Sequence, residues 1–543
     1  MGNKKDNTLV KNASFLMVAA LISKIIGMIY KSPLSDLLGN EGYGCFQYAQ
    51  NAYFILLMIA SFSIPQAVSK IMAERLAFHR YRDAQKAFYC SLLYAVIIGG
   101  IVALVCVFGT KILVPEDMAN ARLALQMLAP TIFISGILGV LRGYFQAYRK
   151  MMPTSISQIV EQIMVAVVAI LMTHVMLTHF AGQPDDVVQR WSAAGATIGT
   201  GAGVLSALLF MLFVYGINRR TIRRKIARDR SSKDEAFGSL FKTILLIISP
   251  IIFSAFIYNV NGFINSYMFT GIMGTRGMDS STIKAQFAEY GYYMTLVNIP
   301  LTLASTAPTS MIPEVSAHYA RGEIRLANEK TDKATWVSML ISIPAAVGLG
   351  ALAVPISQLL FSNTEGFAAN MMYLGAVTIV LNGMSNISNG VLQGIGKPKI
   401  PMIHAALALV ADVILMAALL FLTNLGVYTV VVAMIVYAIM MCVLNDRAMK
   451  KYMKYRNPWR YAYLPPLLAS IPMGLVAAGV YYGLHFFLPG GRLGLLIALI
   501  PAITLAVIVY FLAYLFIARP TAEELSGIPG GRTIAGLAHK LGI

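Results

Sequence analysis

Apolar segments of twenty residues or more recur from one end of this 543-residue sequence to the other. Each is long enough to cross a hydrocarbon layer of roughly 30 Å as a helix. In lipid, only helices and closed barrels satisfy every backbone polar group, and these unbroken runs lack the alternation typical of barrel strands. With 57% hydrophobic and only 12% charged residues, the chain is not an ordinary soluble domain. The sequence therefore predicts an all-α polytopic membrane protein.

About fourteen transmembrane helices are predicted. They lie near 13–33, 47–72, 87–114, 123–147, 154–180, 191–217, 241–270, 287–316, 334–360, 368–393, 401–423, 427–447, 462–487 and 493–517. Loops on one side are rich in Lys and Arg, as at 219–230 and 447–456, whereas those on the other side are short and poor in both. By the positive-inside rule, both termini are expected in the cytoplasm. The net charge of +19 is then expected to meet anionic lipid of the inner leaflet, not nucleic acid.

Two short patterns occur twice at nearly the same spacing. Gly143-Tyr-Phe-Gln146 returns 247 positions later as Gly390-Val-Leu-Gln393, and "IPQAVS" at 64–69 returns as "IPEVS" at 312–316. One interpretation is chance, since Gly and Pro are common in membrane helices. The other is a six-helix unit written twice in one orientation, with a central cavity and rocking between inward-open and outward-open states. The predicted domains are 1–217 and 241–447 as six-helix lobes, 218–240 as a basic cytoplasmic linker, and 448–543 as two added helices with a cytoplasmic tail.

Ionisable residues inside predicted spans are costly and usually face a cavity or a partner. Lys24 lies mid-span, and Lys31 follows seven residues later on nearly the same helix face. Lys24 is expected to line a substrate cavity, the alternative being a structural pair with an acid. Glu161 and Asp412 are the anionic candidates of the two halves, and either a coupling role or a structural ion pair or protonated carboxyl is open.

Other polar residues and helix breakers complete the candidate site. The remaining substrate-binding candidates are Arg142, Asn259 and Asn298, although amides in membrane helices also serve as contacts between helices. The expected hinge or gate residues are Gly27, Pro65, Gln146, Pro300, Pro313 and Gln393. The sequence "GATIGTGAG" at 195–203 predicts close helix packing, because no strand precedes it as in a nucleotide loop.

Motifs of catalysis are absent from the sequence. It contains no Walker loop, no H-E-x-x-H, no nucleophile elbow and no cluster of Cys and His at metal-ligand spacing. We therefore expect no enzyme activity, no cofactor and no bound metal centre. Transport would then use an ion gradient (Na+ or H+), the membrane potential, or the supply and removal of substrate.

Three stretches carry a family resemblance: "SKIIGMIYKSPLSDLLGNEGYGCFQYA", "SIPQAVSKIMAE" and "LRGYFQAYRKMMPTSISQIVEQI". They resemble the polysaccharide-transporter branch of the multidrug/oligosaccharidyl-lipid/polysaccharide (MOP) exporter superfamily, in particular the group of stage V sporulation protein B and the MurJ-type lipid II flippases. The resemblance implies two six-helix lobes, two extra C-terminal helices, and export of an undecaprenyl-pyrophosphate-linked cell-wall precursor by alternating access. Lipid II is the favoured cargo, and membrane lipids are the other expected partners.

The resemblance extends to particular residues only in part. MurJ-type flippases have a basic residue after a Ser in the first span, which Ser23-Lys24 matches. Gram-negative members carry an Arg-Asp pair where this chain has Tyr30-Lys31. They also have an Arg on span eight, where Thr295 stands here. These departures leave flippases for other lipid-linked polysaccharide units open as an alternative.

Two further functions compete. An ion-coupled multidrug exporter would depend on Glu161 and Asp412 rather than on Lys24. A membrane-embedded polysaccharide polymerase or ligase would be expected to have acidic or His residues in a sizeable outer loop, and the longest predicted outer loop, near 271–286, has no such cluster.

Overall fold

The computed structural model describes residues 19, 21–62, 64–232, 235–309, 311–488 and 491–520. All regular secondary structure in these ranges is helical. The chain divides into two compact units, Met1–Ala288 and Glu289–Ile543. The predicted all-α membrane architecture is confirmed, whereas the proposed lobe boundaries stay a prediction.

The first unit contains ten helices within its described residues, with a wide π-type turn at Met58–Phe62 and a short 3₁₀ turn at Glu116–Met118. The helices are α1 (21–29), α2 (Lys31–Leu57), α3 (Ile64–Ala77), α4 (Tyr81–Phe108), α5 (Thr110–Leu113), α6 (Ala121–Met127), α7 (Ala129–Ala147), α8 (Met152–His179), α9 (Asp185–Ala227) and α10 (Phe237–Thr275).

The helix α11 (Ser280–Thr309) begins in the first unit and continues in the second. The second unit then contains α12 (Ile312–Ala320), α13 (Ile324–Ala351), α14 (Ala353–Leu360), α15 (Phe367–Gly375), α16 (Val377–Gly394), α17 (Lys399–Leu422), α18 (Tyr428–Met453), α19 (Leu464–His485) and α20 (Arg492–Ala518). A second π-type turn, Trp459–Tyr463, precedes α19.

Ten helices of the described chain are long and apolar enough to cross a membrane. The count is eleven if α15 and α16, which meet at a bend of 48°, form one span. Three more spans were predicted from the sequence. Two of these coincide with α10 and α11, and the first falls partly on residues 13–18 and 20, which lie outside the described residues.

The twice-written stretch "Gly-x-x-Gln" builds the same helix end in both units. At the end of α7, the N–H of Arg149 donates to the carbonyl of Gln146 at 2.8 Å, and the N–H of Lys150 donates to the carbonyl of Phe145 at 3.0 Å. At the end of α16, Gly396 donates to Gln393 and Lys397 to Leu392, at 3.1 and 2.9 Å. Arg149 and Gly396 both have positive φ, 58° and 80°. Each stretch therefore closes its helix with a Schellman motif, in which a left-handed residue redirects the chain.

The two doubled patterns also contact each other within each unit. A Cβ placed on Gly143 would lie 2.8 Å from the carbonyl oxygen of Pro65, so α7 crosses α3 almost backbone to backbone. In the second unit, Gly390 and Gly394 of α16 lie against Ile312 and Ser316 of α12. Small residues allow such close crossings in membrane helices. The predicted gate residues Pro65 and Pro313 therefore stand at the first turns of the helices that these glycines contact.

The predicted linker 218–240 is largely helical. The 43-residue helix α9 continues through the arginine-rich sequence to Ala227, and α10 begins at Phe237. The short connection between them is bonded to the end of α3, where Glu235 pairs with Arg75 at 2.7 Å, and to the start of α4, where Glu235 pairs with Arg80. Arginine is a good helix former, which explains why α9 does not end with its apolar sequence.

Asp229 organises the same connection. Its carboxylate accepts hydrogen bonds from the backbone N–H groups of Arg82, Ser231 and Ser232 and from the Ser232 hydroxyl. Burial alone would raise the pKa of Asp229, but these hydrogen bonds outweigh it and lower the pKa to about 2. Asp229 thus ties the residues that follow α9 to the first turn of α4.

Candidate functional site

An Arg–Glu ion pair lies between two membrane-crossing helices of the first unit. Arg142 of α7 places its Nη2 atom 2.6 Å from Oε2 of Glu161 on α8. Its Nε donates to the Ser157 hydroxyl at 3.0 Å, and that hydroxyl donates to the carbonyl of Thr154. The side chains are 15% and 26% exposed, so the pair is shielded but remains accessible. An accessible ionic pair between membrane-crossing helices is a candidate for function.

The position of the Glu161 backbone is fixed by helix packing. The glycines of "GATIGTGAG" on α9 face α8: a Cβ on Gly203 would lie 2.6 Å from the carbonyl oxygen of Glu161, and one on Gly195 would lie 2.8 Å from that of Met172. The predicted packing role of this stretch is confirmed. Because the backbones of α8 and α9 touch, only the side chain of Glu161 is free to change position.

Helix α1, which carries Lys24, contacts α8 at the residue after Glu161. A Cβ on Gly27 would lie 3.3 Å from Nε2 of Gln162, the residue after Glu161. Lys24, Gly27 and Lys31 share one helix face, because they are spaced by three and four residues. Lys24 is exposed, and it makes no hydrogen bond or ion pair with any residue that the structure describes. Lys31 is partly buried and does interact.

Two further polar atoms, one on α1 and one on α8, have unused hydrogen-bonding capacity. The Ser23 hydroxyl, next to Lys24, and Oε1 of Gln158, next to Ser157, are buried, and neither bonds to another described residue. Buried polar groups in proteins are nearly always hydrogen-bonded. We call the set Lys24, Gly27, Arg142, Ser157, Gln158, Glu161 and Gln162 the inner polar cluster.

The other predicted site residues lie elsewhere. Asn259 on α10 donates to the carbonyl of Ala255 in its own helix at 2.7 Å. Asn298 and Asp412 belong to the second unit, where α11 runs without interruption through Pro300. The side chain of Asp412 is fully buried and interacts with its surroundings. Of the named candidates, the structure therefore pairs Arg142 with Glu161. It also places Gly27, one turn from Lys24, against the residue that follows Glu161.

One charged contact was missed by the sequence analysis. Lys284 is almost completely buried at the start of α11, where its Nζ donates to Oε1 of Gln189 at 3.1 Å. Nε2 of Gln189 donates in turn to Glu41 at 3.0 Å, and Lys284 lies 3.8 Å from that carboxylate. Lys284 stands in a predicted outer loop, and the sequence carries no signal that a loop lysine will be buried.

Comparisons with known proteins agree with this architecture. The family model described as "Polysaccharide biosynthesis protein" matches residues 9–318, and the model described as "MatE" matches residues 250–418. The lipid II flippase MurJ of Bacillus subtilis is 22% identical over 76% of this chain and 77% of its own length. Stage V sporulation protein B of the same organism is 24% identical over 82% of this chain and 90% of its own.

Solved structures show the same fold. A lipid II flippase MurJ in an inward closed conformation superposes with a TM-score of 0.62 at 15% identity, over 93% of this chain and 98% of that one. A multidrug resistance MATE family transporter of the MOP superfamily, in its inward-facing conformation, gives 0.56 at 16% identity, over 81% and 95%. The resemblance to the MOP exporters is confirmed.

Proposed function

The chain belongs to the family of polysaccharide biosynthesis proteins, and from this premise we propose that it is a flippase for a lipid-linked glycan. It would move an undecaprenyl-pyrophosphate-linked cell-wall precursor, with lipid II as the favoured cargo, across the cytoplasmic membrane by alternating access. The observation that carries the proposal is the accessible Arg142–Glu161 pair. Beside it, α1 contacts α8 at Gln162 and carries Lys24, which has no ionic partner among the described residues.

A pyrophosphate headgroup is the ligand chemistry that this cluster fits. Charge-assisted hydrogen bonds from Lys or Arg to phosphate oxygens are short and strong, and they strengthen where water is excluded. An unpaired cation inside a membrane protein is costly, so Lys24 is expected to be retained for a ligand. The neutral hydrogen-bonding groups proposed for the headgroup are Ser23, Gln158 and Gln162. The prenyl chain would remain in lipid throughout.

The other candidate residues have the following roles in the proposal. Asn259 and Asn298 would contact sugar or peptide groups, and Glu161 and Asp412 would serve coupling to Na+ or H+ or structural pairing. Gly27, Pro65, Gln146, Pro300, Pro313 and Gln393 would allow the helices to shift during transport. We propose that both termini are cytoplasmic, in accord with the positive-inside pattern, and that the protein catalyses no reaction.

Two other transport functions remain as candidates. A flippase for a different undecaprenyl-linked polysaccharide unit would use the same cationic site. An ion-coupled multidrug exporter is favoured by one observation, the fold shared with MATE family transporters. That function would require Glu161 and Asp412 while tolerating the loss of Lys24.

Rescue of a bacterium depleted of its own lipid II flippase tests the proposal, with lipid II measured on the outer leaflet. We expect rescue by the wild type and by Lys24→Arg, and none by Lys24→Ala when both variants are present in the membrane at equal amounts. Transport that persists in Lys24→Ala would contradict the proposed role of the cation. Failure of the inserted wild type would direct the search to other undecaprenyl-linked glycans.

A further inference from the structure

The Arg142–Glu161 pair raises a question about selectivity. A cationic site open to the membrane is surrounded by anionic phospholipids, which outnumber any lipid-linked precursor. We propose that Glu161 is a specificity-determining residue: its carboxylate occupies Arg142 as a built-in counter-anion that singly charged phosphodiesters cannot displace and a doubly charged pyrophosphate diester can. This inference rests on the proposed function and defines the headgroup class that the site accepts.

The geometry leaves Arg142 only partly used. A guanidinium has five N–H donors in a planar fork. In the described structure, Nε bonds to Ser157 and one Nη2 hydrogen bonds to Glu161, so three donors have no acceptor among the described residues. Arg142 is thus already held in place by Ser157, with a further edge available to phosphate oxygens. A ligand that displaces Glu161 would gain the Nη2 donor as well.

The anchoring of Glu161 permits such a displacement. Its backbone is packed against Gly203 of α9, but its side chain, which bonds to Arg142, is 26% exposed. The groups around the carboxylate are Arg142 of α7, the Ser157 hydroxyl one turn away on α8, and Tyr53 of α2 within electrostatic range. A rotation of the side chain would therefore free Arg142 without moving any helix.

Charge counting explains the discrimination. Arg142 carries one positive charge, which Glu161 neutralises, and it keeps three donors without an acceptor among the described residues. A phosphodiester headgroup with one negative charge gains little over Glu161 at Arg142 and meets its repulsion nearby. A pyrophosphate diester brings two negative charges and two phosphate groups, whose oxygens can bind several of these donors at once. These added contacts compensate for displacing the carboxylate. Specificity by an unfavourable element against the wrong ligand is a general device in recognition.

Binding measurements on the purified full-length protein test the inference. The probes are a short-chain prenyl-diphospho-N-acetylglucosamine, which is a pyrophosphate diester, and dihexanoyl phosphatidylglycerol, which is a phosphodiester. We expect wild type to prefer the first, and Glu161→Gln to bind phosphatidylglycerol about tenfold more tightly with a smaller change for the diphosphate. Glu161→Asp, whose shorter side chain retracts the charge from Arg142, should change the ratio in the same direction by less.

Glu116→Gln is the matched control, because Glu116 pairs with Nη2 of Arg122 at 2.7 Å on the exposed surface of the same unit. It should leave both affinities unchanged. An unchanged ratio of affinities in both Glu161 variants would overturn the filter while leaving the flippase proposal intact. If wild type does not bind the diphosphate probe at all, the proposed headgroup site itself is wrong, and the filter is wrong with it.

Discussion

Replacing Gly143 by alanine tests the closest helix crossing of the first unit. The added Cβ would lie 2.8 Å from both the carbonyl oxygen of Pro65 and Cβ of Val68, and 3.1 Å from Cα of Pro65. Two of these three atoms belong to the backbone of α3, which cannot yield by changing a rotamer. We therefore expect α7 and α3 to separate and the folded state to be destabilised.

The expected magnitude follows from the cost of overpacking. Inserting a methyl group into a well-packed site typically costs about 1–3 kcal/mol. For a unit of this size, that corresponds to a decrease of roughly 2–10 °C in the midpoint of thermal unfolding. The assay is thermal unfolding of the purified protein in detergent, followed by intrinsic fluorescence, with the rescue assay as a second readout.

Two other glycines provide matched comparisons. A Cβ on Gly100 of α4 would meet no atom within 4 Å, so Gly100→Ala should leave the midpoint unchanged or raise it, given the better helix propensity of alanine. At Gly390, the equivalent position in the second unit, the Cβ would meet only side-chain atoms of Ile312, which can move. Gly390→Ala should therefore cost less than Gly143→Ala. Equal midpoints for the Gly143 and Gly100 variants, or a larger loss at Gly390, would refute this reasoning.

Three further predictions concern other sites. Trp336→Phe removes the 2.6 Å hydrogen bond from Nε1 of Trp336 to the Tyr514 hydroxyl. In denaturant titrations, this variant should have a free energy of unfolding about 1–3 kcal/mol lower than that of the wild type, and a loss below about 0.5 kcal/mol would contradict the prediction. Gly396→Ala places a side chain at a φ of 80° and should cost about 1 kcal/mol in the same assay, so a stabilised variant would count against the helix-end geometry. Because the pKa of Asp229 is depressed, its stabilisation is complete above its ordinary pKa near 4 and is lost as the pH falls towards 2. Hydrogen exchange at the Ser232 amide should accordingly show declining protection below pH 4 in wild type and uniformly weak protection in Asp229→Asn, and identical profiles would disprove the role of the carboxylate.

Helix content and packing glycines could be read from the sequence, because both depend on local pattern. The length and apolar character of each run fix a membrane helix, and the spacing of Gly195 and Gly203 marks a close helix contact. The bend inside α2 was not predicted. Gly39 has a φ of 64° there, and the sequence does not indicate which of its 44 glycines adopts such a left-handed conformation.

The pairing of Arg142 with Glu161 shows why the candidate site was only partly predictable. Both residues could be identified as costly charges in membrane helices, but α7 and α8 are separated by a tight turn, and sequence periodicity does not give the rotation of one helix against the next. The same limit applies to Gly27, whose contact with Gln162 depends on how α1 lies on α8. Tertiary packing, not local pattern, decides these contacts.

The fastened connection between α9 and α10 has a consequence for dividing this protein into fragments. A cut between Asp229 and Glu235 looks natural from the sequence, since it falls in a polar, basic stretch between two apolar segments. It would, however, sever a turn whose two ends are both bonded to the loop and helix around Arg80. Fragments that extend through Ala288, the end of the first unit, keep that turn whole and also keep the contact of Lys284 with Gln189. They are the better choice for expressing the first unit alone or for reassembling the transporter from two chains.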